Sequence, residues 1–176
     1  MELFVPDLKK AGGRFLDYHG EIEIKDPEIK VPPGPNGKFP VLKVFLKAAY
    51  VNNRILIKGN WQTELTGECS RCLEQTDYTL KESFSEEFIH LQAGESGRVP
   101  YAGSEHEEQY LFKGESLRLD EYFKHSFFIS QPLKILCRED CKGLCPICGQ
   151  DRNKSLCSCT DENIDQRWSL LKKLLK

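Results

Sequence analysis

The chain has 176 residues, of which 39% are hydrophobic and 30% charged, and a formal net charge of −2. That length allows one ordinary core with a small appendage and excludes two large domains. No window is apolar enough to span a bilayer and the first residues carry no basic leader, so a soluble, cytoplasmic protein in a reducing compartment is expected.

In chain order, residues 14–24 end in alternating apolar and charged side chains, the period of a half-buried strand. Pro32, Pro33, Gly34, Pro35 and Gly37 make a connection that neither a helix nor a central strand accepts. Residues 39–50 read as a second strand. The turn at Asn52 and Asn53 leads to a third, in which Ile55, Ile57, Gly59, Trp61, Thr63 and Leu65 share one face. Lys58, Asn60, Gln62 and Glu64 take the opposite face. Residues 76–90 alternate again, with Tyr78, Leu80, Phe84 and Phe88 on one side, so Cys69-Ser70-Arg71-Cys72 falls at a hairpin tip. Aromatic side chains at strand spacing point to a core rather than a base-stacking platform.

Residues 92–114, rich in Gly, Ser and Glu, read as an acidic loop. Leu117 to Asp120 read as a short strand entering a helix capped by Asp120, lined by Tyr122, Phe123, Ser126, Phe127 and Ile129, and ended by Pro132. Beyond it, residues 137–159 are too poor in apolar side chains to bury a core of their own. The tail, with Ile164, Trp168, Leu171, Leu174 and Leu175 at helical spacing, reads as a terminal helix. The expected fold is therefore α+β: a predominantly antiparallel β-sheet with an aromatic helix, a C-terminal Cys-rich zinc module and a terminal helix. Residues 1–134 are expected to form the β-rich core domain, with its helix near 120–130, and residues 135–176 the module packed on it.

The eight cysteines fall as four close pairs: Cys69 and Cys72, Cys137 and Cys141, Cys145 and Cys148, Cys157 and Cys159. Disulfides between such near neighbours are strained and staple little, whereas four thiolates close one tetrahedral zinc site. Two zinc ions, each held by four sulfurs, are expected. In Cys145-Pro146-Ile147-Cys148-Gly149 the glycine can take positive φ and turn backbone N–H groups toward the first sulfur. Cys157 and Cys159 follow after eight intervening residues and could complete that site. Cys69, Cys72, Cys137 and Cys141 would then form the other, across 64 intervening residues. Spacing equally allows the two CxxC turns to share one ion, leaving Cys137, Cys141, Cys157 and Cys159 for the second.

A site closed by four thiolates has no position for a reactive water, which points to a structural metal and a non-enzymatic protein. Its weight is considerable: structural zinc contributes ~10–16 kcal/mol, against ~5–15 kcal/mol for the net stability of a domain. A dithiol redox centre needs its CxxC at a helix N-terminus, and here it links two strands. A zinc-thiolate site that responds to oxidation is the alternative reading. His19, His90, His106 and His125 are scattered and form no close pair. Arg138, Lys142, Arg152 and Lys154 surround the last cysteines and could contact RNA or a partner, although Glu139, Asp140 and Asp151 dilute the patch.

The run from Cys137 through Gly149, followed by Cys157-Ser158-Cys159 and preceded by Gly67-Glu68-Cys69-Ser70-Arg71-Cys72, closely resembles the YceD family. The tail Asp165-Gln166-Arg167 resembles an element that more usually reads Asp-Pro-Arg. The resemblance implies a bacterial or plastid protein with a β-rich region before the first CxxC. It also implies a role in accumulation of large-subunit ribosomal RNA, hence in ribosome biogenesis, with ribosomal RNA or a large-subunit ribosomal or assembly protein as partner.

Overall fold

The computed structural model describes residues 1–26, 31–91 and 110–159. Seven strands and two α-helices follow one another along the described residues. They are β1 (Glu2–Phe4), α1 (Val5–Lys10), β2 (Leu16–Glu23), β3 (Val41–Val51), β4 (Arg54–Glu68), β5 (Gln75–Leu91), β6 (Tyr110–Lys113), β7 (Ser116–Arg118) and α2 (Asp120–Ile129). β2 to β6 form a five-stranded sheet in that order, and β1 pairs with β7. The pairings are antiparallel except that of β5 with β6, which is parallel. The fold is α+β, as the alternation of the sequence leads one to expect.

The long strands form where apolar and polar side chains alternate. On β3, Leu42, Val44, Leu46 and Ala48 are buried while Val41, Lys43, Phe45 and Lys47 are exposed. Asn52 and Asn53 both take positive φ, the conformation of a tight turn whose twist suits the strands it joins, and set the register of β3 against β4. The face of β4 made by Ile55, Ile57, Trp61 and Leu65 is buried and meets Leu80, Phe84 and Phe88 of β5 in the main core. Those aromatic side chains are core, not platform. Helix α2 adds Phe123 and Phe127: Phe84 and Phe123 meet edge to face at 5.3 Å, and Trp61 Nε1 donates to Ser126 Oγ at 3.0 Å.

Several elements differ from expectation. Tyr110–Lys113, placed by composition in the acidic loop, is strand β6, and residues 92–109 of that loop lie outside the described residues. A four-residue strand is too short to show alternation against an acid-rich background. β1 and α1 give no sequence signal for the same reason. The N-cap of α2 is Leu119 rather than Asp120, with no side-chain cap; Asp120 is the first helical residue, where its charge favours the helix dipole. Ile129 faces solvent at 69% exposure instead of lining the helix's inner face. The segment read from the sequence as a terminal helix lies outside the described residues.

Two compact units make up the chain. One comprises Met1–Gly67 and Asp77–Leu133; the other joins Glu68–Thr76, at the tip of the β4–β5 hairpin, to the segment beginning at Lys134. The second unit contains all eight cysteines.

Candidate metal centres

The two CxxC turns fold alike. Cys69 N–H donates to Glu74 O at 2.9 Å and Leu73 N–H to Cys69 O at 2.9 Å; Cys145 N–H donates to Gln150 O at 2.8 Å and Gly149 N–H to Cys145 O at 2.9 Å. In each turn the residue after the second cysteine takes positive φ, 61° at Leu73 and 74° at Gly149. The matching hydrogen-bond offsets make both turns knuckles that present two sulfurs on one side. Glycine meets the backbone requirement without strain; leucine does not.

The Cys137–Cys141 loop is held against the first knuckle by contacts that do not involve sulfur. Ser70 N–H donates to Ile135 O at 2.7 Å, and Leu144 N–H to Arg71 O at 3.0 Å. The Arg71 guanidinium donates from Nη1 to Glu139 O at 3.1 Å and Cys141 O at 2.8 Å. Gly143, at φ 70°, lets the chain pass so close that an added Cβ would lie 2.9 Å from Arg71 O.

These restraints bring Cys69, Cys72, Cys137 and Cys141 into one group, and Cys145, Cys148, Cys157 and Cys159 into a second. Within each group all sulfurs lie within 4.8 Å of one another. The separations Cys69–Cys141 and Cys72–Cys137 are 3.8 and 3.6 Å. A tetrahedron of sulfurs at ~2.3 Å from zinc has edges of about 3.8 Å, so the donor set fits a tetrahedral thiolate-bound ion. The arrangement in which the two CxxC turns share one ion is not the one adopted.

The family model described as "Large ribosomal RNA subunit accumulation protein YceD" matches residues 57–175, a span holding every cysteine. The chain belongs to the YceD family. Proteins of Mycobacterium bovis and of two Mycobacterium tuberculosis strains, each described as uncharacterized, are 27% identical to it over 135 residues. That alignment covers 77% of this chain and 62% of each relative, so the chain spans less than two thirds of their length. No solved structure matches it.

In this YceD-family chain the thiols of each group are electrostatically unequal. Cys69 is drawn down to about 6 by the backbone N–H of Cys137 and then that of Cys72, and Cys145 to about 6 by the N–H groups of Cys148 and Ile147. Cys137 is pushed up to about 12 by burial and by its sulfur neighbours, beginning with Cys141. Cys159 is also pushed up to about 12, first by its hydrogen bond with Cys148 and then by burial. Each group thus favours a thiolate at one sulfur, and crowding keeps another protonated unless a cation compensates.

Asn153 ties the two loops together. Its Oδ1 accepts from Lys142 N–H at 2.8 Å and Arg138 Nη2 at 2.9 Å, and its Nδ2 donates to Cys141 Sγ at 3.4 Å and Asp151 Oδ1 at 2.8 Å. Asn153 and Arg71 escape sequence reading, although an Asp-x-Asn turn and an arginine inside a CxxC are the signals that could mark them. Of the four cations singled out for contact, Arg138, Lys142, Arg152 and Lys154, all are exposed. Two are engaged within the unit: Arg138 with Asp140 at 3.3 Å, and Lys154 with Glu74 at 3.4 Å and Asp151 at 3.7 Å.

Proposed function

We propose that the chain is a non-enzymatic, zinc-stabilised cytoplasmic factor in large-subunit ribosome biogenesis. It supports accumulation of large-subunit ribosomal RNA by binding that RNA or a ribosomal or assembly protein. The observation that carries this reading is the family match, whose description names ribosomal RNA accumulation rather than a reaction. The proposed ligands are Cys69, Cys72, Cys137 and Cys141 in one centre and Cys145, Cys148, Cys157 and Cys159 in the other. Zinc held by four thiolates supplies shape, because no coordination position is left for water. What supports a structural metal is the makeup of the second unit, whose buried cluster consists of Cys69, Cys72 and Cys141, with Cys137, Leu136 and Leu144 packed against it. Sulfur there takes the place of a hydrocarbon core.

Elemental analysis of reduced protein is expected to give two zinc ions per chain. Affinity capture from growing cells should enrich large-subunit RNA or its proteins; enrichment of neither removes the reading. A redox-responsive role is the second reading, and the exposure of Cys148 favours it. Peroxide-driven zinc release coupled to a reversible loss of ribosomal association would support that alternative.

A further inference from the structure

The solvent face of the five-stranded sheet carries side chains that the sulfur centres do not use. Phe45, in the middle of β3, is 52% exposed, and the register places His19 of β2 and Asn60 of β4 directly beside it. One pair further along, Lys47 lies between Asp17 and Lys58; one pair back, Lys43 lies between Glu21 and Gln62. Phe15 is 42% exposed, with Lys58 Nζ 4.5 Å from its ring centroid. A cleft of about 550 Å³ opens here, lined by Tyr18, His19, Phe45, Lys47, Lys58 and Asn60 among others. It is large enough for a small-molecule-sized group.

Half-exposed phenyl rings ringed by lysines suit a base stacked on carbon and a phosphate beside an ammonium. Within one register pair of Phe45 the carboxylates are Asp17 and Glu21, against Lys43, Lys47 and Lys58; Glu23 and Glu64 lie farther along the same face. Asp17 holds Lys47 at 3.4 Å, but both side chains are exposed, so a phosphate can replace the carboxylate at little loss. An extended peptide pairing with the edge strand β2 would not use the ring of Phe45, which stands on β3, a strand flanked on both sides. Duplex RNA hides its base faces, which leaves unpaired nucleotides as the occupant that uses the rings.

We propose that this face binds single-stranded RNA, with Phe45 stacking a base, Lys47 and Lys58 meeting the flanking phosphates, and His19 and Asn60 at the base edge. The proposal rests on the reading that the chain serves ribosomal RNA, and it assigns the contact to residues of the first unit, which holds none of the cysteines. Phe15, His19, Lys43, Phe45 and Lys47 precede the segment matched by the family model.

The test uses the full, metal-loaded chain and a fluorescein-labelled single-stranded RNA of about ten nucleotides, followed by anisotropy across a salt series. The wild type should bind it more tightly than the duplex of the same sequence. Phe45→Ala should weaken binding by about 5- to 150-fold, the worth of one base stack, without changing the salt slope. Lys47→Glu with Lys58→Glu should weaken it and reduce the slope by about 1.4, two phosphate contacts' worth. These side chains are exposed, and circular dichroism should show the variants folded. No saturable binding by the wild type, equal binding to duplex, or wild-type behaviour of both variants overturns the proposal. So does dispersal by Phe45→Ala of a wild-type dimer that binds no RNA. If Phe45→Ala still captures large-subunit RNA from cells as the wild type does, this face is not the contact, yet the biogenesis reading stands. If the wild type captures neither RNA nor ribosomal protein, that reading fails as well.

Discussion

Replacing Gly143 by alanine should loosen the first sulfur centre far more than the same change at Gly149 loosens the second. Both glycines sit at positive φ, 70° and 74°. Placing an L-residue there costs about 1–2 kcal/mol at either position. At Gly149 a new Cβ meets nothing within 4 Å, so the backbone cost is the whole effect. At Gly143 it meets Arg71 O at 2.9 Å and Arg71 Cβ at 3.2 Å, and the loop must move away. That movement stretches the 3.0 Å bond from Leu144 N–H to Arg71 O, worth about 1 kcal/mol. The totals are about 1–2 kcal/mol for Gly149→Ala and about 2–3 kcal/mol for Gly143→Ala, or roughly 5- to 30-fold against roughly 30- to 150-fold in metal retention. Competition with a chromogenic chelator resolves the two losses. If Gly143→Ala gives up zinc no more readily than Gly149→Ala, close approach to Arg71 is not what seats the Cys137–Cys141 loop.

At Leu73, 60% exposed with φ 61°, glycine should relieve the strained backbone and raise metal retention by up to about 1 kcal/mol, read in the same competition assay. Among the described residues Thr63 Oγ1 is the buried side-chain polar atom lacking a hydrogen-bond partner. Thr63→Val should therefore raise the urea midpoint by about 1 kcal/mol of stability at unchanged slope, and a lower midpoint would refute the assignment. Cys145, Cys148, Cys157 and Cys159 include an exposed member, whereas three of Cys69, Cys72, Cys137 and Cys141 are buried. Mild peroxide should accordingly modify the former group first, as peptide mapping of blocked thiols will show. Tyr122 ionises well above the usual phenol range because of burial and then the Glu86 carboxylate, to which its hydroxyl donates at 3.4 Å. The unfolded phenol ionises above about pH 10 while the folded one stays neutral, so this group's contribution holds below that pH and fades above it. Tyr122→Phe should lose less stability than the wild type as pH climbs past that point, in parallel denaturant titrations.

The long strands are legible in the sequence because each buries one face: Ile55, Ile57, Trp61 and Leu65 mark β4 unaided. β1, β6 and α1 are not, because three, four and six residues carry too little periodicity and are held by pairing or packing with distant chain. Close spacing identifies the cysteines as ligand pairs, but it leaves two groupings open. The arrangement adopted depends on where Arg71 and Gly143 allow one backbone to approach another, a relation between residues about 70 apart in the chain. The same limit hides Asn153, whose role lies in what its amide reaches rather than in its neighbours along the sequence.

Because the first four-sulfur group draws on Glu68–Thr76 and on the segment from Lys134, it is discontinuous along the polypeptide. A nascent chain exposes Cys69 and Cys72 while the 64 residues before Cys137 are still to be made, an interval of roughly 3–13 s at ~5–20 residues per second. During that interval the hairpin bears two unclaimed thiols, open to oxidation or to the wrong ion. A fragment beginning at residue 134 would inherit the opposite half of the problem, two sulfurs without their partners. Translation itself therefore sets the order of assembly, and full ligation of the first centre marks a chain whose distant segments have found each other.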